Sequence, residues 1–184
     1  MRIILLFLLT FLPSILNAEC NFVTAKHIES LSNPKTIKNI EIEVPKSSNY
    51  IKNFLQIILT DSRNIHPDFK RKFKANITVN YVFGTCKYKG WVKQLGDWRD
   101  HITFNDKGEP TRSLNVKLYD GNILNNIRFK LFLPETRHDL NEVFGANLLK
   151  NLGFISPETF QVNTIINGVK AKMLFQEHTN KELL

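Results

Sequence analysis

The sequence predicts an α+β fold, a mostly antiparallel sheet with one helix packed on it. Three observations carry this expectation. Stretches around 77–83, 114–118 and 127–133 alternate apolar and polar residues with the period of two that a half-buried strand requires. The run "TFQVNTIINGVKAKMLFQE" folds back on itself at Asn167-Gly168, a pair suited to the type I′ turn of a hairpin. Between these lies a segment, 137–152, that carries Leu140, Val143, Phe144 and Leu148 at helical spacing.

The first element is a leader rather than part of the fold. "MRIILLFLLTFLPSILNAEC" joins one Arg to an apolar run and a small residue, Ala18, so residues 1–18 read as a secretory signal peptide with cleavage before Glu19. No later segment approaches the ~18 apolar residues of a spanning helix, so the product is expected not to be membrane-spanning. It is expected to be exported, periplasmic or extracellular. Residues 19–184 are then one domain of 166 residues with net charge 24 − 17 = +7. Such a balance favours anionic surfaces or polymers, although in the full chain, Arg2 included, Lys outnumbers Arg 18 to 7, as compositional bias alone would produce. Cys20 and Cys86 are the only cysteines, and outside the cytoplasm they are expected to form a disulfide.

Residues 37–44 alternate Ile40, Ile42 and Val44 and read as a strand. Ser47 or Ser48 can cap a following helix with Ile51, Phe54, Leu55 and Ile58 on one face. "HPDFKRKFK" reads as a basic loop. Ile77, Val79, Tyr81 and Phe83 form a strand leading to Cys86, and Leu114, Val116 and Leu118 form one that stops at Asp120-Gly121. In the strand 127–133, Ile127, Phe129, Leu131 and Leu133 share a face, and Arg128 and Lys130 take the other. Thr136 and Asp139 resemble a capping box for the helix, and Gly153 stops it. The hairpin strands are 159–166 and 169–176.

Several groups could carry chemistry. Asp97, Asp100 and His101 in "GDWRDHI" could be an acid/base or metal cluster, but carboxylates three apart with no second cluster read better as a loop-capping network. No nucleophile–His–acid arrangement and no HExxH spacing is present. Asn76 in "NIT" is a glycosylation sequon within a predicted strand. In "CKYKGWVKQLGDWRD", Tyr88, Trp91 and Trp98 interleave with Lys87, Lys89, Lys93 and Arg99. Rings among cations suit sugars or single-stranded nucleic acid; export disfavours nucleic acid and leaves an anionic polysaccharide or a partner protein. The same rings would also serve as the core of a strand.

The order of pieces from about 90 to 177 resembles the CotH family, the spore-coat-type atypical protein kinases. "KQLGDWRD" and "TRSLNVKL" are similar to that family's glycine turn and basic segment, "RFKLF" to its lysine-bearing strand, "NLGFISP" to its helix end, and "VNTIINGVKAKMLFQE" to its hairpin. The resemblance implies a kinase-like N-lobe, the N-terminal part of a longer protein. It implies ATP with Mg or Mn as cofactor, bound near Lys130, Glu142, Gly96, Lys117 and Glu177, and a protein substrate. The catalytic aspartates would lie in a following C-terminal lobe, so this chain would be inactive alone. Asp97 stands where the family has Asn. Glu142 lies about 200° around the helix from Phe144, away from the main apolar face.

Overall fold

The computed structural model describes residues 19–21 and 25–178; the expected signal peptide, 1–18, lies outside them. In chain order the described elements are β1 (Glu19–Cys20), α1 (Ala25–Ser30), β2 (Ile37–Glu43), α2 (Ser47–Ile58), β3 (Lys72–Tyr81), β4 (Gly84–Gln94), β5 (Ile102–Phe104), β6 (Pro110–Arg112), β7 (Leu114–Leu118), β8 (Arg128–Phe132), α3 (Asn141–Asn151), β9 (Thr159–Ile166) and β10 (Val169–Glu177). Seven strands close on themselves in the order β4-β3-β2-β9-β10-β8-β7, with β7 returning to β4. Every joint is antiparallel except β2–β9, which is parallel. β1 pairs with the start of β4, where Cys20 sits opposite Cys86 in register and is bridged to it.

This corrects the expected fold. An α+β layer resembling a kinase-like N-lobe, with a helix packed on an open antiparallel sheet, does not form; the chain makes a closed, mostly β barrel with short helices outside it. Alternation predicts a strand with one buried face, and a barrel wall satisfies that pattern as well as an open sheet does. What closes the barrel is β4, which pairs with both β3 and β7. Its inward positions are Cys86, Tyr88, Gly90, Val92 and Gln94, a set in which Gly and Gln blur the apolar signal. Gly90 makes the seam possible: a Cβ there would lie 2.3 Å from the carbonyl oxygen of Lys117 on β7.

The interior is filled from every strand. Ile40, Ile42, Ile77, Val79, Val92, Leu114, Val116, Leu131 and Met173 are almost completely buried. Phe129 and Phe160 stack on Phe175 with centroids 4.7 and 4.8 Å away. The hairpin turns at Asn167 and Gly168, both at positive φ (48° and 87°), as a type I′ turn requires. The Asn167 side chain also accepts from the Val44 amide at 2.7 Å, fastening the turn to the chain after β2.

The helices differ from the expected ones. α2 buries Tyr50, Asn53, Phe54 and Ile57 and leaves Ile51 and Leu55 outside. Phe54 and Ile57 pack with Ile65 and Ile102 in a second apolar cluster. The Arg99 guanidinium donates to the carbonyls of Ile58 and Thr60 at 3.1 and 3.0 Å, satisfying the end of α2. α3 starts only at Asn141, because His138 and Asp139 adopt left-handed backbone (φ 51° and 56°) and break the expected capping box. It buries none of its side chains, and Leu140, Phe144 and Leu148 are exposed.

Candidate functional site

Alternation sends every second residue of the barrel wall outward, and register then decides which outward residues become neighbours. One row across the wall runs Lys74, Trp91, Lys117, Arg128 on β3, β4, β7 and β8. The next runs Lys72, Lys93, Asn115, Lys130 and continues to Gln176 on β10. Beyond the first row, Lys89 faces Asn76, and Lys87 faces Thr78. The outward positions of these four adjacent strands thus hold eight cations, Lys72, Lys74, Lys87, Lys89, Lys93, Lys117, Arg128 and Lys130, and no Asp or Glu. Strands lie about 4.8 Å apart, so the rows form a continuous basic face. Carboxylates stand at its margins, Glu41 and Glu43 on β2 and Glu19 on β1 opposite Lys87.

Trp91 is the aromatic within this face, and the Lys72 Nζ lies 4.8 Å from its ring centroid. Of the other expected aromatics, Tyr88 is buried in the interior. Trp98 lies in the loop after β4, exposed, with the Arg63 guanidinium 4.7 Å from its ring. The readings as core and as binding surface therefore divide among the three rings.

At β8 the basic face meets the chain that precedes α3. Phe132 and Leu174, paired on the outside of β8 and β10, are buried under it, and the Arg137 guanidinium covers Phe132 at 4.1 Å. Gln176 Nε2 donates to Glu142 Oε1 at 2.7 Å. Lys130 is half-buried here; burial lowers its amine pKa, the Arg137 charge adds to this, and Glu142 opposes it. His178 is likewise held below its usual value by burial, then by Lys130 and Arg128. Glu142 is thus a neighbour of Lys130 and is hydrogen-bonded to Gln176, the residue opposite Lys130 on β10.

Of the residues expected to hold a nucleotide, Lys130 and Glu142 are neighbours, and Lys117 stands on the same wall one row away, opposite Arg128. Glu177 does not join them: its Oε2 accepts from the Glu158 amide at 3.2 Å. Gly96 has φ 88°, but the space beside it is filled by the His101 ring, which a Cβ would meet at 1.9 Å. With that ring in place, the turn does not form an open cradle for the phosphates of ATP with Mg or Mn. Asp97 and His101 are held by separate loop contacts. Asp97 is hydrogen-bonded by Lys70, which lowers its carboxyl pKa, and its carbonyl accepts from Ile65. The His101 Nδ1 lies 3.0 Å from Ser113 Oγ. Among the described residues no group of three His, Cys, Asp or Glu is placed to hold a metal ion, and no helix is long and apolar enough to cross a membrane.

Alternation showed that Lys117 and Lys130 face outward, and composition showed that the chain is basic. Register, which brings residues of β3, β4, β7 and β8 side by side, left no local trace in the sequence. Compared with family models and with curated proteins, the chain matches none.

Proposed function

We propose that the protein is an exported, non-catalytic binding module that holds an anionic polysaccharide against the outer wall of β3, β4, β7 and β8. The observation that carries this reading is the segregation of charge: eight outward cations on four strands that themselves carry no carboxylate, with Glu19 of β1 opposite Lys87 and Glu142 beside Lys130 at the margins. Ammonium groups at this spacing meet carboxylates or sulfates repeated along a chain, and Trp91 offers a ring face to a sugar. Each exposed ion contact contributes only about 0.2–1 kcal/mol, so affinity comes from many contacts made together. Binding of that kind weakens steeply with salt, because the screening length falls from about 10 Å at 0.1 M to about 3 Å at 1 M.

The test is a titration with polygalacturonate and with neutral dextran at low and high sodium chloride. Polygalacturonate is expected to bind and to be released by salt, and dextran not to bind. The triple variant Lys74→Glu/Lys93→Glu/Lys117→Glu is expected to lose at least roughly tenfold in affinity, the size of one to two lost ion contacts with added repulsion. Lys170→Glu, on the exposed outside of β10, is the control and should lose much less. Equal binding of both polymers, or indifference to the triple variant, overturns the reading.

A further inference from the structure

α3 holds its large side chains away from the barrel, and its partly covered residues are Glu142, Val143, Gly145 and Ala146. Leu140, Phe144, Leu148 and Leu152 recur every four residues from one cap of the helix to the other and are 56, 69, 46 and 62 % exposed. Phe154 and Ile155, in the loop that follows, are 62 and 73 % exposed. Together these six residues leave on the order of 700 Å² of mostly apolar surface in water, above the roughly 300–600 Å² of the largest patch on an ordinary monomer. α2 also leaves a stripe outside, Ile51, Leu55 and Leu59, but it is about half as large and falls within the ordinary range.

Area and chemistry indicate what covers the α3 face. A stable complex of standard size takes about 800 Å² from each partner, which this face nearly supplies. The core of an interface is depleted of charge and anchored by aromatic side chains. Between 140 and 157 the charged residues are Glu142 and Lys150, and both are engaged: Gln176 Nε2 donates to Glu142 Oε1 and Lys150 Nζ to Glu158 Oε2, each at 2.7 Å. The rim carries Asn141, Asn147 and Asn151, exposed amides that can both donate and accept. A helix lying on a lipid surface carries Lys and Arg along its polar side, whereas α3 has only the paired Lys150. A row at i±4 spacing is also the ridge that interdigitates when two helices cross at about 50°. A face built on one such ridge can therefore receive a second copy of itself.

We propose that this face joins two copies of the chain, α3 against α3, in a closed two-fold dimer anchored by Phe144 and Leu148. The dimer does not depend on what the basic outer wall binds. Both copies carry net positive charge, so salt screens their repulsion and strengthens the dimer. Salt releases an anionic polymer from the wall, so the two kinds of binding are told apart by the sign of their salt response. The test is sedimentation velocity of the oxidised protein from about 1 to 200 µM, at 50 and 500 mM sodium chloride. A single monomer–dimer equilibrium is expected, tighter at the higher salt and with nothing larger, because a two-fold contact closes. Phe144→Ser with Leu148→Ser should raise the dissociation constant at least about tenfold, as loss of central anchors does. Leu59→Ser, on the smaller α2 stripe, should leave it unchanged. At a few micromolar single copies predominate, and there the double variant should leave the folding of one copy nearly as it was. Four results would each overturn the dimer: a monomer at every concentration, an open series of larger species, association released by salt, or an equal response to Leu59→Ser. Flotation with phosphatidylglycerol vesicles that the double variant abolishes would assign the face to lipid and overturn it as well.

Discussion

Gly90 and Gly145 are the same residue type in opposite circumstances. At Gly90 an added methyl would collide with the backbone of β7, which cannot move without opening the barrel. Gly90→Ala is therefore expected to lower stability by roughly 1–3 kcal/mol, read as a shift in the urea midpoint. At Gly145, in α3, nothing lies within 4 Å of the added methyl. Gly145→Ala should raise stability by about 0.5–1 kcal/mol through helix propensity. His101 makes a third residue-scale case. The Leu133 amide donates to Ser113 Oγ, so the Ser113 hydroxyl proton is free to bond His101 Nδ1, an arrangement that needs the neutral ring. Burial is the main cause that lowers the His101 pKa from 6.5. Above 6.5 the ring is neutral in both states and its contribution is complete. As pH falls below 6.5 the unfolded chain takes up the proton first, so stability falls, with a slope of at most about 1.4 kcal/mol per pH unit. Urea melts at pH 7.5 and 5 should show this loss, and His101→Gln should show less of it.

Among elements, α2 and α3 separate burial from helicity. Phe54 and Ile57 of α2 are buried with Ile65 and Ile102, whereas Phe144 of α3 is 69 % exposed. Phe54→Ala should cost about 3–5 kcal/mol, while Phe144→Ser with Leu148→Ser should change the stability read from urea melts by about 0.5 kcal/mol or less. Equal effects from the two would show that α3 is buried in solution. The sequence is legible to the same uneven degree. The β9–β10 hairpin could be read because both its strands and its turn are local. The helical spacing of α3 was visible, yet an apolar stripe states only that a face could be buried. For α2 the expected face was set off by about one residue, because Tyr50 and Asn53, which bond or stack with Arg112, were outside an apolar count. β4 was missed as a sheet member for the reason that makes it central: its inward Gly90 and Gln94 answer to neighbours far along the chain.

For the whole molecule, one long-range fastening is at the start of the described residues, where β1 contributes two residues to the sheet and the Cys20–Cys86 bridge spans 66 positions. In the chain-entropy account a loop of that length contributes about 4 kcal/mol. Reduction should lower stability by that order, measured by urea melts with and without reductant. The other long-range fastening is the parallel β2–β9 joint, secured by Asn167 against Val44 across 123 positions. A polypeptide delivered N-terminus first presents β2 before β3 to β8, and its partner β9 only after them. Until the final hairpin arrives, β2 keeps an unpaired edge, the kind of edge that recruits strands from other molecules. Closure of the barrel therefore waits on that hairpin, and crowding during the interval favours intermolecular association over closure.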